Sequence, residues 1–142
     1  EQETYRLVVR THPLSKVKPD PEFSIHGNYS TYELMQLADA IVTDYSACAF
    51  EASLLMKPLY FFVPDYDLYM RDRWLNVDLR QEMPAATFTD ADALADSLRA
   101  AAYDYDALYA FQSKYVENTK NNNAAILANF VLTLLQKKDS DS

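Results

Sequence analysis

Glycine is nearly missing from this 142-residue chain, with Gly27 the single example. A Rossmann dinucleotide fingerprint and a P-loop each require several glycines where backbone approaches phosphate, so neither can be built here. Any phosphate would have to be held by side chains and by the N–H groups of a helix N-terminus. Cysteine is equally scarce. Cys48 stands alone, which rules out a disulfide framework and a Cys-based zinc site. Its neighbours Ala47, Ala49 and Phe50 suit a small buried hydrophobe better than a nucleophile. Two histidines, His12 and His26, leave little from which to assemble a metal site. Positive charge is in deficit: 13 Lys and Arg against 21 Asp and Glu leave a net −8, which argues against a general nucleic-acid surface. No apolar run approaches the ~20 residues of a membrane-spanning helix. No signal-peptide pattern opens the chain. Its start runs almost at once into a strand-like stretch, as expected of a domain cut from something longer.

What the chain does have is a folding composition, with 49% hydrophobic and 13% aromatic residues. The length suits one domain, expected over residues 1–138, with a disordered tail over 139–142. Residues 5–10 read as a short strand and residues 23–25 as a weaker one. Ser30 and Glu33 have the spacing of a capping box, before a helix carrying Leu34, Leu37 and Ala38 on one face. Residues 40–43 form a compact apolar strand, 47–56 an apolar helix stopped by Lys57 and Pro58, and 59–63 the strongest strand. Residues 67–84 look irregular. A short strand at Thr87 and Phe88 precedes helices over about 90–102, 105–117 and 123–137. Strands alternating with helices predict an α/β domain, a Rossmann-like parallel sheet with helices on both faces.

Ligands of open parallel sheets bind beyond the carboxyl ends of the strands. Residues 10–13, 26–28, 43–46 and 64–67 fall there, on one edge of the sheet. The densest of these is Thr43-Asp44-Tyr45-Ser46. Ser46 stands at an N-cap position, so the N–H groups of Ala47, Cys48 and Ala49 could receive an anion. An ordinary cap by Asp44 or Ser46 explains the same residues. His12, held extended by the following proline, suits proton transfer or phosphate contact, and equally a surface histidine. Arg10 is a phosphate ligand or an ion-pair partner. Tyr69, Arg71, Arg73 and Trp74 could clamp a nucleotide or plug a domain interface. Ile126, Leu127, Phe130, Val131 and Leu134 point to core or inter-domain packing rather than a membrane anchor.

The run Ala38-Asp39-Ala40-Ile41-Val42-Thr43-Asp44-Tyr45-Ser46-Ala47, with Phe50-Glu51 and Lys57-Pro58-Leu59 behind it, resembles the CDP-glycerol:poly(glycerophosphate) glycerophosphotransferases. Arg10-Thr11-His12-Pro13 looks like that family's upstream Arg-x-His element. Asp67, Tyr69 and Arg73 fall where the family has an acidic, tyrosine-bearing stretch. The resemblance spans nearly the whole chain and is weakest near its C-terminal end. It implies the C-terminal half of a two-lobed GT-B fold, binding CDP-glycerol or a related CDP-alditol. His12 would be catalytic, with Arg10, Thr43, Asp44, Tyr45, Ser46 and Arg73 at the donor. The other partners implied are an N-terminal acceptor lobe and a polymer acceptor. No cofactor is implied, although a divalent metal could come with the donor pyrophosphate. The implied setting is cytoplasmic, peripheral to the inner face of the cell membrane. Departures are Ala47 for the second serine of the usual pair, Glu51 for Asp, Trp74 for Gly, Asn121-Asn122 for Asp-Gly, and Leu127 for Arg. They leave open a different CDP-alditol or weakened activity. Two rival readings are a GT-B lobe for a UDP- or GDP-sugar and a non-catalytic remnant of such a lobe.

Overall fold

The computed structural model describes residues 5–12, 15–24, 27–73, 75–116 and 122–140. Its sheet has three strands, β1 (Ile41–Thr43), β2 (Leu59–Phe62) and β3 (Thr87–Phe88), all parallel and in the order β1-β2-β3. Ile41 pairs with Leu59, Thr43 with Phe61, and Phe62 with Phe88. The central strand is the most apolar, and Leu59, Tyr60 and Phe61 are all buried. Neighbours on a strand point to opposite faces. The Phe61 ring meets Phe111 at 6.1 Å, whereas Tyr60 meets Tyr103 edge-on at 5.3 Å. Phe111 lies on α6 (Tyr105–Tyr115), which packs with α2 (Cys48–Ser53). The opposite face carries α5 (Ala91–Ala100), against β2 and β3. The sheet is therefore covered on both faces, and the chain is an α/β, Rossmann-like domain.

Local chemistry sets where the helices begin. Ser30 and Glu33 form the capping box of α1 (Thr31–Leu37), with Ser30 Oγ accepting from the Glu33 N–H at 3.2 Å. The Ser30 N–H donates back to Glu33 Oε2 at 2.8 Å. Asp90 caps α5 and Asp104 caps α6, each accepting a backbone N–H at 2.9 Å. The C-terminus of α1 is closed from a distance. The Lys57 ammonium donates to the Ala38 carbonyl at 2.6 Å and to the Gln36 carbonyl, placing a cation at the negative end of the helix. The scarcity of glycine shows in the turns. Gly27 occupies a φ of 120°, but the two left-handed positions among the described residues, Met56 and Ala101, carry side chains.

Several segments differ from the sequence expectation. Residues 5–10 form no strand and no helix, with the Val9 N–H donating to the Phe23 carbonyl at 2.9 Å. β-Propensity expresses fit to a half-buried sheet surface, and this segment stays exposed or half-buried with no such surface beneath it. Pro21–Phe23 is a 3₁₀ turn capped by Asp20 rather than the start of a strand. Helix α1 buries Met35, not Leu37, which is 64% exposed. The stretch expected to be irregular contains α3 (Tyr66–Asp72) and α4 (Leu79–Glu82), followed by the 3₁₀ turn Pro84–Ala86. The last helix, α7 (Asn123–Ser140), takes in Asp139 and Ser140, where the tail was expected to begin. Its Ile126, Leu127, Phe130, Val131 and Leu134 are exposed and join no described core, so core packing does not account for them. No helix among the described residues is long and apolar enough to cross a membrane.

Candidate functional site

The connection from β1 to α2 crosses the carboxyl end of the sheet. Asp44 Oδ1 accepts the Ser46 N–H at 2.9 Å, closing a tight turn. Helix α2 starts one residue later than the sequence suggests, at Cys48 with Ala47 at the N-cap. Ser46 still reaches the helix start, its Oγ accepting the Cys48 N–H at 3.4 Å. The Ala49 N–H donates to the Ser46 carbonyl at 3.1 Å. The Cys48 and Ala49 N–H groups, expected to be bare, are thus engaged inside the turn. Thr43 Oγ1 lies 3.4 Å from Cys48 Sγ.

Below the turn is a cleft of about 170 Å³. Asp44, Ser46 and Ala47 line it from the turn, Phe50, Phe61 and Phe111 supply an apolar side, and residues 75–77 complete it. A smaller cleft of about 50 Å³ lies beside Tyr60 and Tyr103 and contains none of the sequence-predicted site residues.

Tyr45 turns toward α3. Its hydroxyl donates to Asp65 Oδ1 at 2.9 Å and its ring stacks on Tyr69 at 3.8 Å, with 14° between the planes. Burial, and secondly the bond to the Asp65 carboxylate, push the Tyr45 hydroxyl well above the ordinary tyrosine range. The next layer is also paired. Tyr66 donates to Asp78 Oδ1 at 2.6 Å, and the Arg80 guanidinium sits 4.2 Å over the Tyr66 ring while bonding Asp67 at 2.7 Å.

The structure therefore gathers Asp44, Tyr45 and Ser46 around one cleft, while Thr43 directs its hydroxyl to Cys48. It places the other sequence-predicted residues differently. Arg10 spends its guanidinium on the Tyr29 carbonyl. His12 is exposed on the N-terminal segment, its carbonyl accepting the Ser15 N–H at 2.8 Å. Arg73 is the exposed C-cap of α3. His26 and Trp74 lie outside the described residues. Sequence reasoning placed residues 64–67 at this edge but did not single out Asp65, whose carboxylate reaches Tyr45 across 20 residues. The signal that selected the segment was its place directly after the strongest strand, and nothing local marked Asp65 within it.

A family model described as CDP-Glycerol:Poly(glycerophosphate) glycerophosphotransferase matches residues 1–133. The chain belongs to that family. Among curated relatives, it is 28% identical over 139 residues to a teichoic acid glycerol-phosphate primase of Bacillus subtilis, covering 94% of this chain and 36% of the relative. It is 26% identical over 140 residues to a teichoic acid ribitol-phosphate primase of Bacillus spizizenii, covering 92% and 35%. It is 31% identical over 100 residues to a teichoic acid glycerol-phosphate transferase of Staphylococcus aureus, covering 67% and 26%. The chain thus spans about a third of the length of its full-coverage relatives. No solved structure matches it significantly. The cleft beside Asp44, Tyr45 and Ser46 is the leading candidate site of this family member.

Proposed function

We propose that this chain is the donor-binding domain of a glycerophosphotransferase, holding CDP-glycerol or a related CDP-alditol while glycerol phosphate passes to the end of a growing polymer. The observation that carries this reading is the cleft at the carboxyl ends of β1 and β2, opened by the family-like Thr-Asp-Tyr-Ser turn. The attacking polymer-end hydroxyl oxygen forms a bond to the β-phosphorus of the donor. The bond from that phosphorus to the bridging oxygen breaks, and CMP leaves with the electron pair. Loss of the hydroxyl proton completes the balance. Such a transfer asks the protein for positioning and for stabilisation of charge on the pyrophosphate. The Ser46 hydroxyl supplies the latter at the turn, because the Cys48 and Ala49 N–H groups are engaged there, and the dipole of α2 adds at most about 0.3–1 kcal/mol. His12 acts on the same pyrophosphate once the N-terminal segment is brought to the turn. Arg10 and Arg73 add charge in that arrangement.

Clefts that enclose a drug-sized ligand measure about 300–1,000 Å³. At about 170 Å³ this one takes only part of a nucleotide donor. That size, with the chain spanning about a third of its relatives, supports a GT-B arrangement in which an N-terminal lobe completes the site and brings the acceptor. Under this reading the isolated domain binds nucleotide with little turnover, and the parent protein works at the inner face of the membrane. Among the described residues no three His, Cys, Asp or Glu side chains converge to hold an ion, so a divalent cation would arrive with the pyrophosphate. Relatives of both glycerol-phosphate and ribitol-phosphate type leave the alditol open.

Calorimetric titration of the chain with CDP-glycerol and CMP, against UDP-N-acetylglucosamine and GDP-mannose, tests the reading. Cytidine-selective binding weakened by Ser46→Ala or His12→Ala is the expected result. A preference for UDP or GDP ligands, or no cytidine binding, removes it.

A further inference from the structure

Asp65 occupies the N-cap of α3, the position where an aspartate ordinarily accepts an N–H from the first helical turn. It makes no such bond. Its carboxylate is turned instead to Tyr45, accepting the phenol proton at 2.9 Å. Tyr69 stands four residues further on, on the same face of α3, and its ring lies flat on the Tyr45 ring at 3.8 Å. One helix face therefore grips Tyr45 at both ends, by the hydroxyl and by the ring. Giving up a local cap for a contact 20 residues away in sequence is a departure from the usual pattern, and such departures concentrate at functional sites.

Tyr45 sits between Asp44 and Ser46, the two residues whose hydrogen bond closes the turn. A ring fixed at that point fixes the backbone on either side. It also leaves the Tyr45 hydroxyl spent, facing Asp65. We infer that Asp65 and Tyr69 are positioning residues of the donor site, clamping Tyr45 so that the Asp44–Ser46 turn and the Ser46 hydroxyl are held ready over the cleft. This rests on the proposed donor-binding role of that turn and revises one part of it: Tyr45 acts as the anchor of the turn rather than as a donor ligand. The clamp joins the carboxyl ends of β1 and β2 through side chains, a tie the sheet hydrogen bonds do not provide beyond Thr43 and Phe61.

The test separates the clamp from the donor reading. Amide hydrogen exchange at Ser46 and Cys48 reports the turn directly, and CMP affinity reports the site. Tyr45→Phe and Asp65→Ala are expected to speed exchange at these two amides by about tenfold while that of Leu108 in α6 stays unchanged. Asp65→Asn, which keeps an acceptor oxygen, should restore most of the protection. Tyr69→Leu should loosen the turn with the Tyr45 hydroxyl bond intact. CMP affinity should fall in the same order. If Tyr45→Phe folds and leaves both amides as protected as in the native chain, the clamp is overturned. The same follows if Leu108 loosens in step, because the effect is then general destabilisation. If the turn loosens as expected but the native chain binds no cytidine nucleotide, the donor reading fails while the clamp on the turn stands.

Discussion

The Tyr103 hydroxyl donates to the Leu59 carbonyl at 2.9 Å, pinning the link between α5 and α6 to the central strand. Tyr60 and Tyr105 meet its ring edge-on, at 5.3 and 5.1 Å. Burial is the main reason its hydroxyl is pushed up to about 12. Tyr103→Phe should destabilise the chain by about 0.5–1.5 kcal/mol near neutral pH, the value of a typical hydrogen bond. A raised pKa means the folded chain keeps a proton that the unfolded chain gives up near pH 10. The contribution of Tyr103 is therefore whole below about pH 10 and is lost as pH rises through about 12. Urea unfolding at pH 8 and at pH 10.5–11 should show Tyr103→Phe losing less stability between the two than the native chain. Parallel losses would remove Tyr103 from the alkaline response.

The elements legible in the sequence were those whose signal is local. The Ser30–Glu33 capping box and the unbroken apolar run of β2 each carry their cause within a few residues. The N-terminal segment was misread because a strand needs a partner, and the partner cannot be read from residues 5–10. Helix α3 was missed for a related reason. It is seven residues long and buries Tyr66, while Tyr69 and Met70 are half-buried beside polar neighbours, so no clean period shows. At the site, the 43–46 turn was legible through its position between a strand and an apolar helix. The role of Asp65 was not, because contacts across 20 residues leave no trace in spacing.

Ala101 ends α5 at φ 50°, a conformation that suits glycine and strains an alanine by about 1–2 kcal/mol. Ala101→Gly relieves that strain but gives the unfolded chain more freedom, worth about 0.4–1 kcal/mol the other way. The net expectation is a gain of up to about 1 kcal/mol, with cytidine-nucleotide binding unchanged because Ala101 is not among the residues that line the cleft. Thermal unfolding of the single variant decides it. A lowered midpoint would mean that the α5 end gains nothing from a residue without a Cβ.

Phe111 joins the core to the cleft. It is 1% exposed, lies parallel to Phe50 at 5.7 Å, meets Phe61 at 6.1 Å and also lines the space beneath the turn. Phe111→Ala should cost about 3–5 kcal/mol, a large share of the total stability of a domain of this size. Phe111→Leu keeps most of the volume and should cost less, leaving a folded chain whose cleft is enlarged on one side. Urea midpoints for the two variants should therefore be well separated. Equal midpoints would show that α6 is not packed against α2 and β2 through this ring.

Cys48 offers a reporter that needs no engineering, being the single cysteine of the chain. It is half-buried at the first residue of α2, with its sulfur 3.4 Å from the Thr43 hydroxyl, between Ala47 and Ala49 of the cleft lining. A nucleotide seated on the 43–46 turn would stand between solvent and this thiol. Alkylation of Cys48 should then slow by roughly tenfold when CMP is present at ten times its Kd, the factor set by the fraction of sites left empty. Ser46→Ala should shift the protection to higher CMP concentration, measured against that variant's own rate without nucleotide because Ser46 Oγ accepts the Cys48 N–H. The comparison is sharp because calorimetry fixes the Kd independently. Full alkylation rate at a CMP concentration that saturates the calorimetric signal would put the nucleotide elsewhere on the chain and disconnect the turn from donor binding.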